Sequence, residues 1–378
     1  MYYSDNFGAN LNFVSRKTFF GQRNLFTIGL SPQREDENSQ NFENLSGRPG
    51  PTTARGEGIS VNVPVHFEDQ LYLTQQFSVV AGAQAIFAQR RFIDSFLADA
   101  EGNQSHEQQF FGFNPKFGAI YEFDSRQQAF LNISRSWQPP SFDNLVEFAE
   151  GPNSSVVYTP LRPQHAWTIE LGTRGGLPRA EWELSIYRSL VRNELLELND
   201  RFGNDIGTVN VHRSIHQGVE AGLQLQLLDH VFFTKAQNGP ADQLSLDQSY
   251  TFNDFHFDSD PVYGDNRLAG IPIHFYEAQL MYQVPSGFYA GPNFQCNLAG
   301  YPVDHANTLF ADPYALLGFR VGFRRRTGFS AFLDCKNLTN KRYASSIDVI
   351  ADARTQANPE IFHPGDGRSF YAGISWSW

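Results

Sequence analysis

The chain has 378 residues, of which 15% are aromatic, including 35 Phe and 15 Tyr, yet only 41% are apolar and the mean hydropathy is −0.40. No segment approaches the roughly 18 consecutive apolar residues that a membrane-spanning helix requires, which excludes a helical membrane protein. The formal charge of −11 argues against a nucleic-acid partner, because phosphate binding needs a clustered basic face.

The amino-terminal segment reads MYYSDNFGANLNF. It lacks the basic stretch followed by an apolar stretch that marks a secretion signal. For an exported protein, we therefore interpret the chain as mature, truncated or a fragment of a longer gene product.

Apolar and polar side chains alternate along segments 181–190, 219–227 and 319–324, a pattern typical of strands with two different faces. The last segment places Arg320 and Arg324 on one face, where they would be costly in a dry core but not in a hydrated lumen. We predict strands with one face toward lipid and the other toward water. The side chains predicted to meet lipid include Ile186, Leu223, Phe319, Val321 and Phe323.

The connections between these strands fall into two sizes, as in outer-membrane barrels with short periplasmic turns and long outer loops. The tight connections, rich in turn-forming residues, lie at 124–126, 175–178, 285–287 and 326–328. The long polar connections lie at 31–56, 93–108, 138–164, 256–270, 297–312 and 339–367.

This pattern predicts an all-β fold, a transmembrane antiparallel up-and-down β-barrel with about 15 strands present of the roughly 22 found in large plugged barrels. An odd count places Met1 at the external end, so we interpret residues 1–378 as a single partial barrel domain whose first strands, about seven, are missing. The alternative is a miscounted strand near 229–243, where the turn is unusually long.

The carboxyl terminus alternates again and ends on an aromatic residue. It resembles the terminal strand by which the barrel-assembly machinery recognises outer-membrane barrels. The residues that carry this pattern are Phe370, Ala372, Ile374, Trp376 and Trp378.

The sequence contains no arrangement that indicates catalysis, a metal site or a cofactor. Cys296 and Cys335 are too few for a disulfide framework, and their strands are predicted to flank a third, so we predict free thiols. His212 and His216, four apart on a strand, lie about 13 Å from each other, too far to share a metal. We predict that the protein is not an enzyme.

Several segments together resemble the carboxyl-terminal barrel of TonB-dependent receptors, especially the ferric-citrate-receptor type. Their order and spacing from about Asn114 onward carry the resemblance more than any one of them does. They are 114–121 (NPKFGAIY), 130–137 (FLNISRSW), 139–142 (PPSF), 161–163 (LRP), 170–172 (ELG), 217–220 (QGVE), 264–267 (GDNR), 271–274 (IPIH), 336–343 (KNLTNKRY) and 365–368 (GDGR).

The resemblance implies a bacterial outer-membrane receptor for TonB-dependent uptake of a scarce, bulky solute such as a ferric siderophore or a ferric-citrate-like chelate. It implies contact with membrane lipid and lipopolysaccharide, and with TonB only through an amino-terminal region that this chain lacks, as it lacks the plug domain. The alternatives are a passive porin, an outer-membrane enzyme and a soluble all-β binding protein.

Many ligands of such receptors are anionic chelates. Arginines in the long outer loops are therefore the candidate ligand-binding residues, because a guanidinium forms paired hydrogen bonds with a carboxylate. The candidates are Arg48, Arg162, Arg267 and Arg354.

Overall fold

The structure, a computed structural model, describes residues 2–96, 102–148, 156–230, 232, 241–325, 327–356 and 358–378. Among these residues, no helix has the length and apolar character needed to cross a membrane. In this described part of the chain, the regular structure is β-strand apart from one short α-helix and one 3-10 turn.

The strand segments follow one another along the chain with few interruptions. In chain order they are β1 (Tyr2–Gly8), β2 (Leu11–Ser15), β3 (Asn24–Leu30), β4 (Gln33–Leu45), β5 (Arg48–Tyr72), β6 (Phe77–Asp94), β7 (His106–Asp124), β8 (Gln127–Gln138), α1 (Phe142–Leu145), β9 (Val146–Phe148), β10 (Val156–Tyr158), β11 (Gln164–Leu177), β12 (Ala180–Asn199), β13 (Asp205–Asp229), β14 (Gln243–Phe257), β15 (His274–Gln283), β16 (Phe288–Asn297), β17 (Tyr301–Pro302), β18 (Phe310–Ala311), β19 (Tyr314–Phe323), β20 (Gly328–Lys336), β21 (Ala344–Ile347), the 3-10 turn (Ala353–Thr355), β22 (Phe362–Pro364) and β23 (Ser369–Ser377).

Within the described chain, one antiparallel sheet of 17 segments forms the wall, and each wall segment from β5 onward pairs with the next one in chain order. Segments β1 and β2 continue one another along the wall, as do β3 and β4, because β1 pairs with β4, β2 with β3, and β5 with both β3 and β4. The 17 segments therefore occupy 15 strand positions, which confirms the predicted count. Within the described chain, the β1/β2 edge and the β23 edge each have a neighbour on one side only.

The register places apolar side chains on one face of the wall. Leu171 lies opposite Ile186, which lies opposite Val219. Ile186 is 50% exposed, Phe319 43% and Val321 40%, so these side chains are not buried together in a dry core. The opposite face carries Glu181 and Glu183, and it lines the lumen. The predicted alternation is confirmed, and the chain has the fold of a transmembrane β-barrel wall.

The two ends of the wall differ, as predicted. Tight turns join β7 to β8, β11 to β12, β15 to β16 and β19 to β20 at one end, whereas long connections gather at the other. Residue 326 of one tight turn and most of 229–243, where a miscounted strand was the alternative, lie outside the described residues.

One predicted long loop is not a loop. Residues 31–56 contain β4 and the start of β5, which form a hairpin closed by Ser46 and Gly47, both with positive φ. The prediction was wrong because both faces of this hairpin are polar, so no apolar alternation marks it. The backbone groups of β4 are satisfied by hydrogen bonds to β1 on one side and to β5 on the other.

The last strand and the cysteines lie where the pattern places them. β23 pairs with β20, and Phe370, Ile374 and Trp376 are 67%, 81% and 65% exposed on its apolar face. Ala372 lies on the same face, and Trp378 follows the strand fully exposed. Cys296 on β16 and Cys335 on β20 are free thiols with β19 between their strands, which confirms the predicted strand order.

Candidate functional site

The long connections are packed into an ordered rim rather than left as separate loops. Three clusters of buried apolar residues lie at this end of the wall. We call the assembly of these connections with the hairpin of β4 and β5 the crown. Any ligand that reaches the lumen from the long-loop end passes the crown first.

The connection 139–163 is held against the wall at its start. Ser141 caps α1 by accepting a hydrogen bond from the Asn144 backbone N–H at 3.1 Å, while its own N–H donates to Asn144 Oδ1 at 2.9 Å. The Arg90 side chain on β6 donates to the Pro140 carbonyl at 3.1 Å. Phe142 and Leu145 then point into a cluster with Ala54 and Phe92. This side of the crown is therefore a packed unit.

Asp304 ties two other connections together. Its carboxylate accepts hydrogen bonds from the backbone N–H groups of Thr308 at 2.8 Å, Leu309 at 3.0 Å and Ala353 at 3.0 Å. The pKa of Asp304 lies below its usual value, because these backbone donors and the Thr308 hydroxyl outweigh the opposing effect of burial. One carboxylate thus joins 298–313 to 337–368.

His305 lies next to Asp304 and is almost fully buried. Its ring contacts Phe257 and Tyr263, and its Nδ1 accepts from the Ala269 backbone N–H at 3.4 Å. Burial lowers the pKa of His305 to about 4, against the opposing charges of Glu194, Asp304 and Asp260. At neutral pH the imidazole is therefore uncharged.

Within the crown, the carboxyl groups of Glu35, Glu37 and Asp143 lie close together between the β4–β5 hairpin and α1. Burial, followed by the charges of Asp143 and Glu35, raises the pKa of Glu37 to about 7. Burial and the charges of Glu35 and Asp205 also raise the pKa of Asp143. Sequence reasoning missed this group because it assigned 31–56 to a loop. In a strand, the two-residue spacing of Glu35 and Glu37 would have placed them on one face.

The inner wall below the crown is polar and internally paired. His216 Nε2 lies 3.0 Å from Glu194 Oε1, and the His216 ring stacks on Phe255 with centroids 4.3 Å apart. Farther around the wall, Arg320 pairs with Asp334 at 2.6 Å. A polar, charge-paired lining suits a hydrated solute rather than a lipid-like one.

The four predicted arginines lie in four separate connections. Arg48 is exposed at the tip of the β4–β5 hairpin, and Arg162 is exposed while its backbone N–H donates to Asn210 Oδ1 at 2.7 Å. Arg267 forms an ion pair with Asp254 at 2.9 Å, and Arg354 forms one with Asp352 at 2.7 Å. Among the described residues, no hydrogen bond or ion pair links any two of them, so their binding role stays a prediction.

No group of three or more His, Cys, Asp or Glu side chains in the described part of the chain is arranged to hold a metal ion. Both His212 and His216 lie on β13, and His216 is engaged by Glu194.

The wall, its tight turns and its packed crown define a class of protein, the large outer-membrane β-barrels with an elaborated outer rim. Residues 1–338 match the family described as "TonB dependent receptor-like, beta-barrel". The chain belongs to this family, and its location is the bacterial outer membrane.

Curated relatives match at low identity over part of their length. The chain is 24% identical over 268 residues to the ferrioxamine B receptor of Salmonella typhimurium, covering 68% of this chain and 33% of that protein. It is 22% identical over 268 residues to the catecholate siderophore receptor Fiu of Escherichia coli K12, covering 68% and 31%. The chain thus spans about a third of these relatives.

Solved structures support the same fold over nearly the whole chain. The closed form of the ferric-catecholate import receptor Fiu from E. coli K12 superposes with a TM-score of 0.71 at 18% identity, covering 98% of this chain and 54% of that one. The unliganded ferric citrate transporter FecA superposes with a TM-score of 0.71 at 14% identity, covering 99% and 54%.

Proposed function

We propose that this chain forms the wall and crown of a receptor for TonB-dependent uptake of a ferric chelate across the outer membrane. The observation that carries the proposal is the ordered crown above a polar inner wall. A diffusion channel needs no such rim, whereas a receptor must hold binding groups in fixed positions. The named relatives act on ferrioxamine, catecholates or ferric citrate, which makes a ferric siderophore or a citrate-like chelate the proposed solute.

The same proposal covers the domain organisation. Residues 1–378 are one partial barrel domain, completed by about seven further strands and a plug that lie outside this chain. The sheet edges at β1/β2 and β23, each of which lacks a second neighbour in the described chain, support this, because open sheet edges are not stable in hydrocarbon. TonB is contacted only through the region that carries the plug. The apolar face contacts membrane lipid and lipopolysaccharide.

Within the proposal, ligand contacts come from the crown. Arg48 and Arg162 are exposed and have no ion pair with a carboxylate in the described chain, so they are free to meet an anionic chelate. Arg267 and Arg354 would first have to leave Asp254 and Asp352. The family consists of receptors, and we assign the chain no enzymatic role.

Uptake in the native host tests the proposal. The gene is deleted, and accumulation of radiolabelled ferric hydroxamates, catecholates and citrate is compared with the parent strain, with and without functional TonB. We expect loss of uptake of at least one chelate, restored by the native gene only where TonB is functional. Unchanged uptake of all three classes in the deletion strain would refute the proposal.

Conductance separates the receptor from a passive porin. The protein encoded by the native gene is reconstituted into planar bilayers. A receptor closed by its plug gives no steady conductance, whereas a porin conducts continuously. Steady conductance together with TonB-independent uptake would favour the porin.

A further inference from the structure

Four arginines lie on the lipid-facing side of the wall near its long-loop end. They are Arg135 on β8, Arg188 and Arg192 on β12, and Arg213 on β13, which we call the outer arginine patch. We propose that this patch binds the phosphate groups of a lipopolysaccharide molecule in the outer leaflet. The orientation of the leaflet rests on the proposed function, which places the long loops outside the cell.

The register fixes the side of the wall on which the patch lies. Arg135 is the cross-strand partner of Trp167, and Trp167 is the partner of Leu190. Arg188 is the partner of Ile169. Trp167, Leu190 and Ile169 are 43%, 52% and 49% exposed on the apolar face. Cross-strand partners share a face, so the arginines point away from the lumen.

The register also fixes the height of the patch. The tight-turn side of the arginines carries a purely apolar row across β8, β11, β12 and β13, formed by Leu131, Leu171, Ile186 and Val219. Arg135 lies three positions before the end of β8, beyond which the long connection 139–163 begins. Arginines in this position extend their charged ends from the hydrocarbon boundary toward the headgroups.

The patch carries positive charge that the chain leaves largely uncompensated. Arg192 and Arg213 are direct cross-strand partners, an arrangement of like charges that destabilises a sheet unless an anion lies between them. Arg188 donates to Gln217 Oε1 at 3.0 Å and Arg135 to the Phe113 carbonyl, both uncharged acceptors. Arg213 Nε makes no hydrogen bond and is ion-paired with Asp258 at 3.4 Å, whereas Arg135, Arg188 and Arg192 have no ion pair in the described chain.

Two other arginines on the same face, Arg34 and Arg267, are neutralised within the chain. Arg34, whose partners Phe7 and Val61 belong to the apolar face, pairs with Asp36 at 2.8 Å. Arg267 pairs with Asp254 at 2.9 Å. In a protein of net charge −11, β8, β12 and β13 therefore present four guanidinium groups within a span of four neighbouring strands, and only Arg213 has an ion pair in the described chain. Guanidinium forks match phosphate oxygens in charge and geometry.

Lipopolysaccharide is the phosphate-bearing lipid of the outer leaflet, whereas phospholipids occupy the inner leaflet. Cross-strand spacing of about 4.8 Å puts the Arg135 and Arg213 backbones about 15 Å apart across three strand intervals. That span suits a lipid headgroup with more than one phosphate better than a single phosphodiester. The patch thus favours lipopolysaccharide.

The first test compares variants of the protein encoded by the native gene and purified from the outer membrane. Lipopolysaccharide retained after extraction in mild detergent is quantified for the wild type, for the triple variant Arg135→Gln, Arg192→Gln, Arg213→Gln, and for Arg34→Gln as the matched control. We expect the triple variant to lose most of the bound lipopolysaccharide and the control to retain it. Equal retention in all three would overturn the site.

A second test needs only the wild type, and it decides the question if the triple variant fails to assemble. Delipidated protein is titrated with bisphosphorylated lipid A, dephosphorylated lipid A and phosphatidylglycerol, and binding is followed by native mass spectrometry. We expect a preference of roughly tenfold or more for the bisphosphorylated form over each of the others, about 1.4 kcal/mol. Equal binding of the three lipids would overturn the proposal.

The two proposals fail separately. Absence of the wild-type protein from the outer-membrane fraction, or chelate uptake that does not depend on it, would end the proposed function. An outer-membrane receptor that takes up its chelate but binds the three lipids alike would end only the lipopolysaccharide site.

Discussion

Gly58 on β5 faces the ring of Phe142 so closely that a β-carbon on the glycine would lie 2.6 Å from Cε2 of that ring. Phe142 is buried in the cluster that contains Ala54, Phe92 and Leu145, and its ring centroid lies 5.7 Å from that of Phe92. The ring therefore has little room to move. The wall strand thus carries a small residue where the crown docks against it.

Gly58→Ala is expected to detach α1 from the wall without preventing assembly of the barrel. The added methyl group displaces Phe142, and such overpacking costs about 1–3 kcal/mol. Limited proteolysis of 139–163 should become faster, and chelate affinity should fall. Gly222→Ala is the control, because a β-carbon at Gly222 meets nothing within 4 Å. Equal proteolysis of the two variants would contradict the docking role.

Asp304→Ala is expected to separate the connections 298–313 and 337–368. Three backbone N–H groups lose their acceptor, at about 1–3 kcal/mol for each donor left buried and unsatisfied. Hydrogen exchange should rise in both connections together, while β12 and β13 stay protected. Asp312→Ala, which changes an exposed residue of the same connection, should have no effect. A rise confined to 298–313 would show that Asp304 does not join the two.

The parts of the fold that could be predicted are those where burial in lipid dictates every second residue. Ile186 and Phe319 obey this rule, and the lipid-facing strands follow from it. The β4–β5 hairpin could not be found in this way, because Arg34 and Asp36 face outward while Glu35 and Glu37 face inward. Polar side chains on both faces leave no periodic signal.

The candidate site could be predicted only in outline. The long polar connections identified the end of the barrel at which a ligand is expected to arrive. They did not show which arginine side chains already form ion pairs within the chain. Arg354 is held by Asp352, two residues away, whereas Arg267 is held by Asp254 across a turn. The Asp304 carboxylate accepts from the Ala353 backbone N–H across 49 residues of sequence. Such pairings depend on tertiary contacts that periodicity does not encode.

Trp378→Ala is expected to lower the amount of assembled protein in the outer membrane several-fold. The reason is the predicted role of the terminal aromatic residue in recognition by the assembly machinery. Because Trp378 is fully exposed, its replacement should not lower the stability of the folded barrel. Heat-modifiable mobility of membrane fractions measures the folded amount. Phe310→Ala, which removes an exposed aromatic side chain from the crown, is the control, and equal losses would argue against a specific role for the terminus.

Glu37 should make the β4–β5 hairpin more stable in mild acid than in mild base. Its pKa is raised to about 7 by burial and by Asp143 and Glu35, so the folded form holds a proton that the opened form releases above about pH 4.5. That stabilisation is complete below pH 4.5 and is lost as the pH rises through 7. We expect a difference of about 2 kcal/mol between pH 5.5 and pH 8, because Glu37 is buried in the folded hairpin.

Hydrogen exchange of residues 33–62 at pH 5.5 and pH 8, corrected for intrinsic rates, measures this effect. Glu37→Gln should abolish the pH dependence and keep the protected state at both values. Glu43→Gln, which changes an exposed carboxyl of the same strand, should leave it intact. A pH dependence that survives in Glu37→Gln would assign it to another group.

His305 should give its part of the crown the opposite response to pH. Burial lowers its pKa to about 4, so between pH 6.5 and 4 the opened form binds a proton that the closed form excludes. Stability is therefore full above pH 6.5 and falls as the pH decreases, by about 2 kcal/mol at pH 5. Protonation would also remove the acceptor for the Ala269 N–H.

Proteolysis of 258–273 and 298–313 at pH 7.5 and pH 5 tests this directly. His305→Asn offers an acceptor that does not titrate, so cleavage should no longer accelerate at pH 5. His212→Asn, which replaces an exposed histidine on β13, should behave like the wild type. Because Glu37 and His305 act on different parts of the crown, acid should tighten the hairpin while it loosens these connections. A uniform response of the whole crown would show that neither residue controls its own segment.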